Sequence, residues 1–146
     1  MGIYLDNCCL QRPLDDQTHP RIRVETEAIF VILAAVQARE LSLLGSEALD
    51  YEIANIPDEA RRSDARAVLT LVSERLKITD AVEALATEFT RTGIHAIDAL
   101  HLALASTAKA DFFCTCDDRL LRRAEALSDL GCKVISLLGL ISEVTK

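Results

Sequence analysis

The sequence predicts an α/β fold, a three-layer α/β/α sandwich with a parallel sheet of about five strands. Short apolar runs alternate with longer segments of helical periodicity, and each return between parallel strands needs a crossover of that length. The short runs are continuously apolar, as expected when helices cover both faces of a sheet. Glycine and proline are scarce, at 5 and 3 residues, which disfavours a turn-rich all-β fold.

The N-terminal part sets this pattern. Residues 2–6 form a short apolar run that ends in Asp6, so we predict a buried strand there. Residues 7–20 contain two prolines and two aspartates and are predicted to form a loop. Residues 22–39 place apolar side chains at helical spacing, which predicts a long helix.

The remaining elements follow in order. Further strands are predicted at residues 41–44, 76–79, 111–115 and 133–136, the first of them closed by Gly45. Further helices are predicted at residues 46–53, 58–72, 80–91, 97–109, 117–127 and 138–144. Ser46, Asp58 and Asp80 are the expected residues at three helix starts, because short polar side chains accept hydrogen bonds from first-turn amides.

Size and composition indicate a single domain over residues 1–146. The length is that of one ordinary domain, and 50% of the residues are apolar, enough for a core. No run approaches the ~18 uncharged apolar residues of a membrane span. The first residues lack the basic region of a secretory signal, so we expect a cytoplasmic protein.

The five cysteines form a poor disulfide framework, because their number is odd and their spacing irregular. We therefore expect reduced thiols, which pack as small apolar residues. A soft-metal site is the alternative, but no second C-x-x-C or histidine pair completes it. The cysteines are Cys8, Cys9, Cys114, Cys116 and Cys132.

The formal net charge of −7 excludes a protein that holds nucleic acid by its overall charge. Such a chain must bring cations to phosphate, use a local basic patch, or bind something else. Clustered carboxylates that hold a divalent metal would meet the first condition.

Four acids fall where such a cluster could form. Ligands bind at the carboxyl ends of the strands in open parallel sheets. Asp6 ends the first predicted strand, and Asp117 lies two residues after the fourth. Glu52 lies one to two turns into the helix after the second strand, and Asp98 begins an otherwise apolar helix. Buried together, these charges need a divalent cation, and oxygen ligands suit Mg²⁺ or Mn²⁺.

Structural explanations stay open at this point. Asp98 and Asp117 could be helix caps or first-turn acids, and Glu52 could be a solvated helix residue. Asp6 is the hardest to explain in this way, because the first strand should be central and covered. His95 and His101 could supply acid–base chemistry, but His101 lies on an apolar helix, where we expect a packed, hydrogen-bonded histidine.

Four segments together resemble the PIN domain in order and spacing, over essentially the whole chain. The segments are Y-L-D at 4–6, S-x5-E at 46–52, D-A-L-H-L-A-x-A at 98–105 and F-C-T-C-D at 113–117. The third segment, followed by T-x-D, is the specific part of the match.

The resemblance implies a metal-dependent nuclease, mostly of RNA, with strand order 3-2-1-4-5. It implies catalytic roles for the four acids, with Asp6, Asp98 and Asp117 as ligands of Mg²⁺ or Mn²⁺. Many small bacterial PIN domains are VapC-like toxins of type II toxin–antitoxin pairs, which makes an antitoxin a possible partner, and homodimers are common. The segment from Cys8 to Pro20 resembles PIN proteins that are not clearly tied to a toxin role.

Supporting roles are expected for residues beside the acids. Asn7 stands where family members often carry Ser or Thr, and its amide can hydrogen-bond a carboxylate or metal-bound water. Thr115 could hydrogen-bond an acid, and Asp118 competes with Asp117 for the same role. The candidates for RNA phosphate contacts are four arginines, for which solvated surface charges are the alternative: Arg12, Arg119, Arg122 and Arg123.

Two other enzyme classes fit poorly. A phosphatase of the haloacid-dehalogenase type needs a second Asp two residues after the first, where this chain has Cys8. A response-regulator receiver needs an acidic pair near the first strand and a lysine after the fifth, and both are missing. The remaining rival is a PIN fold that only binds nucleic acid or regulates a partner, and the presence of all four acids argues against it.

Overall fold

The fold is a five-stranded parallel sheet with helices on both sides, as the sequence predicts. The computed structural model describes residues 1–145. The strands are β1 (Gly2–Leu5), β2 (Ser42–Ser46), β3 (Val72–Leu76), β4 (Phe112–Cys114) and β5 (Lys133–Ile135). Every pairing is parallel, and the order is β3-β2-β1-β4-β5. The predicted strand order is therefore confirmed.

The helices follow the predicted alternation with strands. They are α1 (Asn7–Gln11), α2 (Pro20–Gln37), α3 (Glu47–Ala54), α4 (Glu59–Val68), α5 (Asp80–Arg91), α6 (Ala96–Thr107), α7 (Asp118–Glu125) and α8 (Leu137–Val144), with 3-10 turns at Arg12–Leu14 and Leu69–Leu71. Within residues 1–145, none of them combines the length and the apolar character needed to cross a bilayer.

The centre of the core is the pair of neighbouring strands β1 and β4. Ile3, Tyr4 and Leu5 are at most 1% exposed, and the Tyr4 ring stacks on Phe113 of β4 with 5.4 Å between ring centroids. Each such side chain contributes about 1.5–3 kcal/mol when it is fully buried. The two strands that carry acidic residues at their ends are therefore buried and well packed.

The segment predicted as a loop at residues 7–20 begins with helix α1 and a 3-10 turn, so that prediction is wrong in part. Asp6 caps the helix by accepting a hydrogen bond from the Asn7 amide, and Cys9 and Leu10 are buried on its inner face. The segment is also held by Arg61, which donates to the Leu14 carbonyl at 2.7 Å. Tertiary contacts of this kind leave no local signal in the sequence.

The third strand was predicted four residues too late, at 76–79 instead of 72–76. β3 is an edge strand whose three central residues, Ser73, Glu74 and Arg75, are exposed. An edge strand has a neighbour on one side only and commonly carries charged residues that prevent further pairing. A search for continuous apolar runs therefore does not locate β3.

Helix starts agree with prediction at two of three positions. Ser46 accepts from the Leu49 amide at 3.0 Å, and Asp58 accepts from the Arg61 amide at 2.9 Å. At α5, however, Thr79 is the capping residue, accepting from Val82, and Asp80 is the first helical residue. Gly45 lies inside β2 rather than closing it.

We predict that Gly131→Ala destabilises the fold by about 1–3 kcal/mol, the usual range for overpacking. A Cβ atom at Gly131 would lie 2.1 Å from the backbone carbonyl oxygen of Ser106, which cannot move away as a flexible side chain could. Urea unfolding measures the effect. Gly2→Ala is the matched control, because its nearest neighbour would lie at 3.7 Å. Equal stability of the two variants would contradict the close approach of Gly131, in the segment before β5, to the end of α6.

Candidate metal centre

Asp6 lies at the carboxyl end of β1 and is 6% exposed. Its amide donates to the carbonyl of Cys114 at the end of β4, at 2.9 Å. Its Oδ1 accepts from the Asn7 amide at 2.8 Å, and its Oδ2 accepts from the Thr115 hydroxyl at 2.9 Å. The expected hydrogen bond between Thr115 and an acid is thus present. Backbone and side chain together hold Asp6 at the junction of the two strands.

Burial raises the pKa of Asp6 well above its ordinary value, and the neighbouring Cys8 and Asp98 raise it further. The hydrogen bond from Thr115 and the proximity of His101 act in the opposite direction. A buried carboxylate is costly to ionise unless a positive charge compensates for it. Asp6 therefore gains free energy from any cation that reaches it.

Glu52 is held by a chain of buried hydrogen bonds that begins in the sheet. The Nε2 of His101 lies 2.9 Å from Glu52 Oε1, and its Nδ1 lies 2.6 Å from the Tyr4 hydroxyl. The Tyr4 hydroxyl also lies 2.6 Å from Ser46 Oγ, which accepts from the Leu49 amide. Burial raises the pKa of Tyr4, so its phenol keeps its proton.

One arrangement of protons satisfies every member of this chain. Ser46 donates to Tyr4, Tyr4 donates to Nδ1 of His101, and Nε2–H of His101 donates to Glu52. The prediction of a packed, hydrogen-bonded His101 is confirmed, since the residue is fully buried. Sequence reasoning missed its bonds to Glu52 and Tyr4. By contrast, His95 is exposed at the start of α6 and makes no side-chain capping bond.

Asp6 and Glu52 meet beside His101. Each of them and His101 offers one ligand atom, and these atoms all lie within 4.8 Å of one another. Sequence reasoning placed Glu52 at this edge of the sheet, and His101 is the residue that fixes it there. The three side chains come from the end of β1, from α3 and from α6.

Asp98 and Asp117 interact with this group electrostatically, although neither belongs to the set of side chains whose ligand atoms lie within 4.8 Å of one another. Asp98 lies half-buried in the first turn of α6, as one structural explanation predicted. Burial raises its pKa, and the charges of Asp117 and Glu52 raise it further. Asp117 is exposed and caps α7, with its Oδ1 accepting from the amides of Arg119 and Leu120. Asp98 is thus the acid that links the others electrostatically, since it interacts with Asp6, Glu52 and Asp117.

Apart from His101 beside Glu52, the four acids have no basic partner in the described part of the chain. Within residues 1–145, no lysine or arginine forms an ion pair with Asp6, Glu52, Asp98 or Asp117. Neighbouring acids outside the cluster are paired, as Asp50 is with Arg75 and Asp118 is with Arg21. The resulting negative potential favours a divalent cation over an anion.

An unpaired oxygen lies next to the cluster. Asn7 Oδ1 is the one buried side-chain N or O atom among the described residues that has no hydrogen-bond partner. Asn7 and Glu52 line one side of a cavity of about 500 Å³, with Ile97 and Tyr51 on its wall. A buried acceptor without a partner costs about 1–3 kcal/mol, so the position suits a cation or one of its water ligands. Together with the carboxylates it makes an all-oxygen donor set.

Two other predicted site residues, Asp118 and Arg12, form ion pairs outside this cluster. Arg21 binds Asp118 through two hydrogen bonds of 2.7 and 2.8 Å and lowers the pKa of that acid, so Asp118 is engaged away from Asp6. Arg12 is only 19% exposed in its side chain and pairs with Asp15 and Glu25, each at 3.0 Å.

The arginines of α7 differ in their contacts. Arg119 and Arg122 are exposed close to Asp117 in sequence. Arg123 donates to the carbonyl of Thr92 at 3.4 Å. Arg119 and Arg122 are therefore the better placed of the predicted arginines to meet a ligand at the acidic edge.

We predict that Asp6→Asn stabilises the metal-free fold at neutral pH by about 1–3 kcal/mol, because it removes a buried charge and keeps one of the two oxygens that accept hydrogen bonds. The pKa of Asp6 is higher in the folded protein than its ordinary value of 3.8. The contribution of protonated Asp6 to wild-type stability is therefore fully present below pH 3.8 and is lost as the pH rises through the folded-state pKa. The advantage of the variant should therefore be absent at low pH and grow toward neutrality. Thermal unfolding of both proteins in EDTA, from below pH 3.8 to neutral pH, measures this difference in stability. A variant less stable than wild type at every pH would refute the electrostatic explanation.

We predict that Tyr4→Phe lowers the free energy of unfolding by about 1–3 kcal/mol, because it leaves buried His101 without its Nδ1 partner. The aromatic ring and its stacking on Phe113 are retained, so packing changes little. Chemical denaturation measures the loss. Tyr51→Phe serves as the control, since Tyr51 is 69% exposed, and a similar loss there would show that the buried chain is not responsible.

Comparison with known proteins identifies the family and agrees with the fold. The family model of the PIN domain matches residues 3–126. No curated protein matches the sequence. Among solved structures, a chain of the VapBC2 complex from Rickettsia felis, crystallised with a DNA fragment from its promoter, is similar with a TM-score of 0.61 and 15% identity. The alignment covers 93% of this chain and 98% of that one. The family match covers all four acids, and the chain belongs to the PIN domain family.

Proposed function

We propose that the protein is a divalent-metal-dependent ribonuclease whose active site consists of Asp6, Glu52, Asp98 and Asp117. PIN domains are in general nucleases that use divalent metals. The observation that carries the proposal is the acidic cluster at the ends of β1 and β4, which has no lysine or arginine paired with it within residues 1–145.

The residues present fit Mg²⁺ or Mn²⁺. These hard cations prefer carboxylate, amide and water oxygens, and the cluster with Asn7 Oδ1 offers only oxygens apart from His101, whose ring nitrogens are engaged by Tyr4 and Glu52. We assign Asp6, Asp98 and Asp117 as the ligands. When bound, the metal supplies neutralisation of phosphate charge and a lowered pKa of water.

The side chains of the protein orient the reacting groups. Asp6 is fixed by Thr115 and by the Asn7 amide, so its oxygens point in one direction. Glu52 accepts from His101 through Oε1, which leaves Oε2 to orient water or metal. Asp117 accepts the capping hydrogen bonds through Oδ1, which leaves Oδ2 to bind the metal. Fixed acceptors of this kind lower the reorganisation needed during a phosphoryl transfer.

RNA binding requires positive charge near this edge. Arg119 and Arg122 are exposed in α7, directly after Asp117, and we propose that they contact backbone phosphates. Arg12 and Arg123 bond to protein groups, so we propose that they support the site indirectly.

The similarity to a VapBC chain supports a further proposal. The protein would act in the cytoplasm as the toxin of a type II pair, with an antitoxin partner and a homodimeric state. All five cysteines are free, which suits a reducing compartment. The alternative is a catalytically inactive PIN fold that binds nucleic acid or regulates a partner, and the cleavage experiment below separates the two.

We predict that purified protein cleaves single-stranded RNA in Mg²⁺ or Mn²⁺ and that EDTA abolishes cleavage. Asp6→Asn and Asp98→Asn should each reduce the rate at least about 100-fold, because each removes charge that stabilises the transition state. Asp64→Asn, a change of the same kind at an exposed position of α4, should leave the rate unchanged. Gel analysis of a labelled RNA measures the cleavage rate of the wild type, with and without EDTA, and of the three variants.

Cleavage that survives both EDTA and Asp6→Asn would refute the metal-dependent mechanism. RNA binding without cleavage in either metal would support the inactive alternative instead.

A further inference from the structure

Three thiols meet beside the acidic cluster although they are far apart in sequence. Cys8 and Cys9 lie in α1, and Cys116 lies between β4 and α7. Their Sγ atoms all lie within 4.8 Å of one another. Leu5 and Cys114 are partners in the pairing of β1 with β4, so the segments that follow the two strands leave the sheet side by side. The cluster is thus a consequence of the central strand pair.

The spacing of the sulfur atoms suits a shared cation better than a covalent bond. A zinc–sulfur bond of about 2.3 Å places two sulfur ligands about 3.8 Å apart in a tetrahedral site. Cys9 Sγ and Cys116 Sγ are 3.6 Å apart. A disulfide needs about 2.05 Å, and all five cysteines are free.

The thiols have only weak partners in the protein itself. Cys9 Sγ donates to the Cys114 carbonyl at 3.5 Å, and the Cys116 amide donates to Cys8 Sγ at 3.3 Å. Thiols are weak donors and weak acceptors. Coordination to a soft cation would therefore exchange weak contacts for strong bonds.

We propose that Cys8, Cys9 and Cys116 form a binding site for a thiophilic d10 cation, and that this cation is zinc. Binding replaces three S–H bonds by three Zn–S bonds and releases three protons to solvent. The zinc stays divalent, and the three thiolates leave the site with one net negative charge. Arg12, which interacts electrostatically with Cys116, offsets that charge.

The site is chemically distinct from the neighbouring acidic cluster. Sulfur ligands select soft cations, whereas carboxylates select hard ones such as Mg²⁺. The two sites nevertheless touch, since Cys8 Sγ lies 3.5 Å from Asp6 Oδ2 and 3.6 Å from Thr115 Oγ1. Zinc held by Cys8 would remove its S–H donor from Asp6. Occupancy of the thiol site therefore alters the acid that the proposed function places at the active site.

The test measures metal binding directly, so it does not depend on nuclease activity. Reduced full-length protein is titrated with Cd²⁺, a spectroscopic substitute for zinc, and thiolate-to-metal absorption in the ultraviolet is recorded. Zinc is then titrated in competition with a chromophoric chelator. We expect one equivalent of each metal, unaffected by millimolar Mg²⁺.

Variants assign the ligands. Cys8→Ser should weaken binding at least about 10-fold and lower the ultraviolet signal, since one of three sulfur ligands is lost; Cys116→Ser should do the same. Cys8 is only half-buried, so its variant is the one least expected to disturb folding, and circular dichroism verifies this. Cys132→Ser is the matched control, because Cys132 lies outside the cluster, and it should bind as wild type.

Asp6→Asn separates this proposal from the proposed function. It should retain the Cd²⁺ absorption even though it removes the acid on which cleavage depends. Loss of thiophilic metal in Asp6→Asn but not in Cys8→Ser would assign the metal to the acidic cluster and overturn the thiol site. An absent ultraviolet signal, or a disulfide between Cys9 and Cys116 that persists in reductant, would overturn it as well.

Discussion

The pairing of β1 with β4 is the contact on which the rest of the structure depends. It joins segments about a hundred residues apart through the Asp6 amide and the Cys114 carbonyl, at 2.9 Å, and through the Thr115 hydroxyl bond to Asp6. The same pairing stacks Tyr4 on Phe113 and brings the thiols of α1 against Cys116. The centre of the core, the position of Asp6 and the thiol cluster therefore all depend on the pairing of β1 with β4.

The acidic cluster is maintained against its own electrostatic cost. Burial and neighbouring acids raise the pKa values of Asp6 and Asp98, and like charges that share a site repel one another. The surrounding structure tolerates this because central strands and buried hydrogen bonds fix the positions. A stable scaffold that carries an unfavourable charge arrangement is typical of sites selected for chemistry rather than for stability.

Sequence patterns predicted the parts of this structure that depend on local chemistry. Continuous apolar runs identified the buried strands, and Asp6, the acid that ends the first run, does lie at the carboxyl end of β1. Edge strand β3 was misplaced because exposed Glu74 and Arg75 give no apolar signal. The bond between Glu52 and His101 could not be predicted, since it joins residues 49 apart in sequence and depends on how α3 and α6 face each other.

The hydrogen-bonded chain from Ser46 through Tyr4 and His101 to Glu52 has an evolutionary consequence. A core position can usually exchange one apolar side chain for another of similar volume, but Tyr4 occupies the core and also carries a hydroxyl that His101 requires. The substitutions that Tyr4 tolerates are therefore limited by the need to position the Glu52 carboxylate through His101. In homologues without Glu52, Tyr4 and His101 would no longer be required to position a carboxylate and should vary together, whereas Ser46 would still be needed to cap α3.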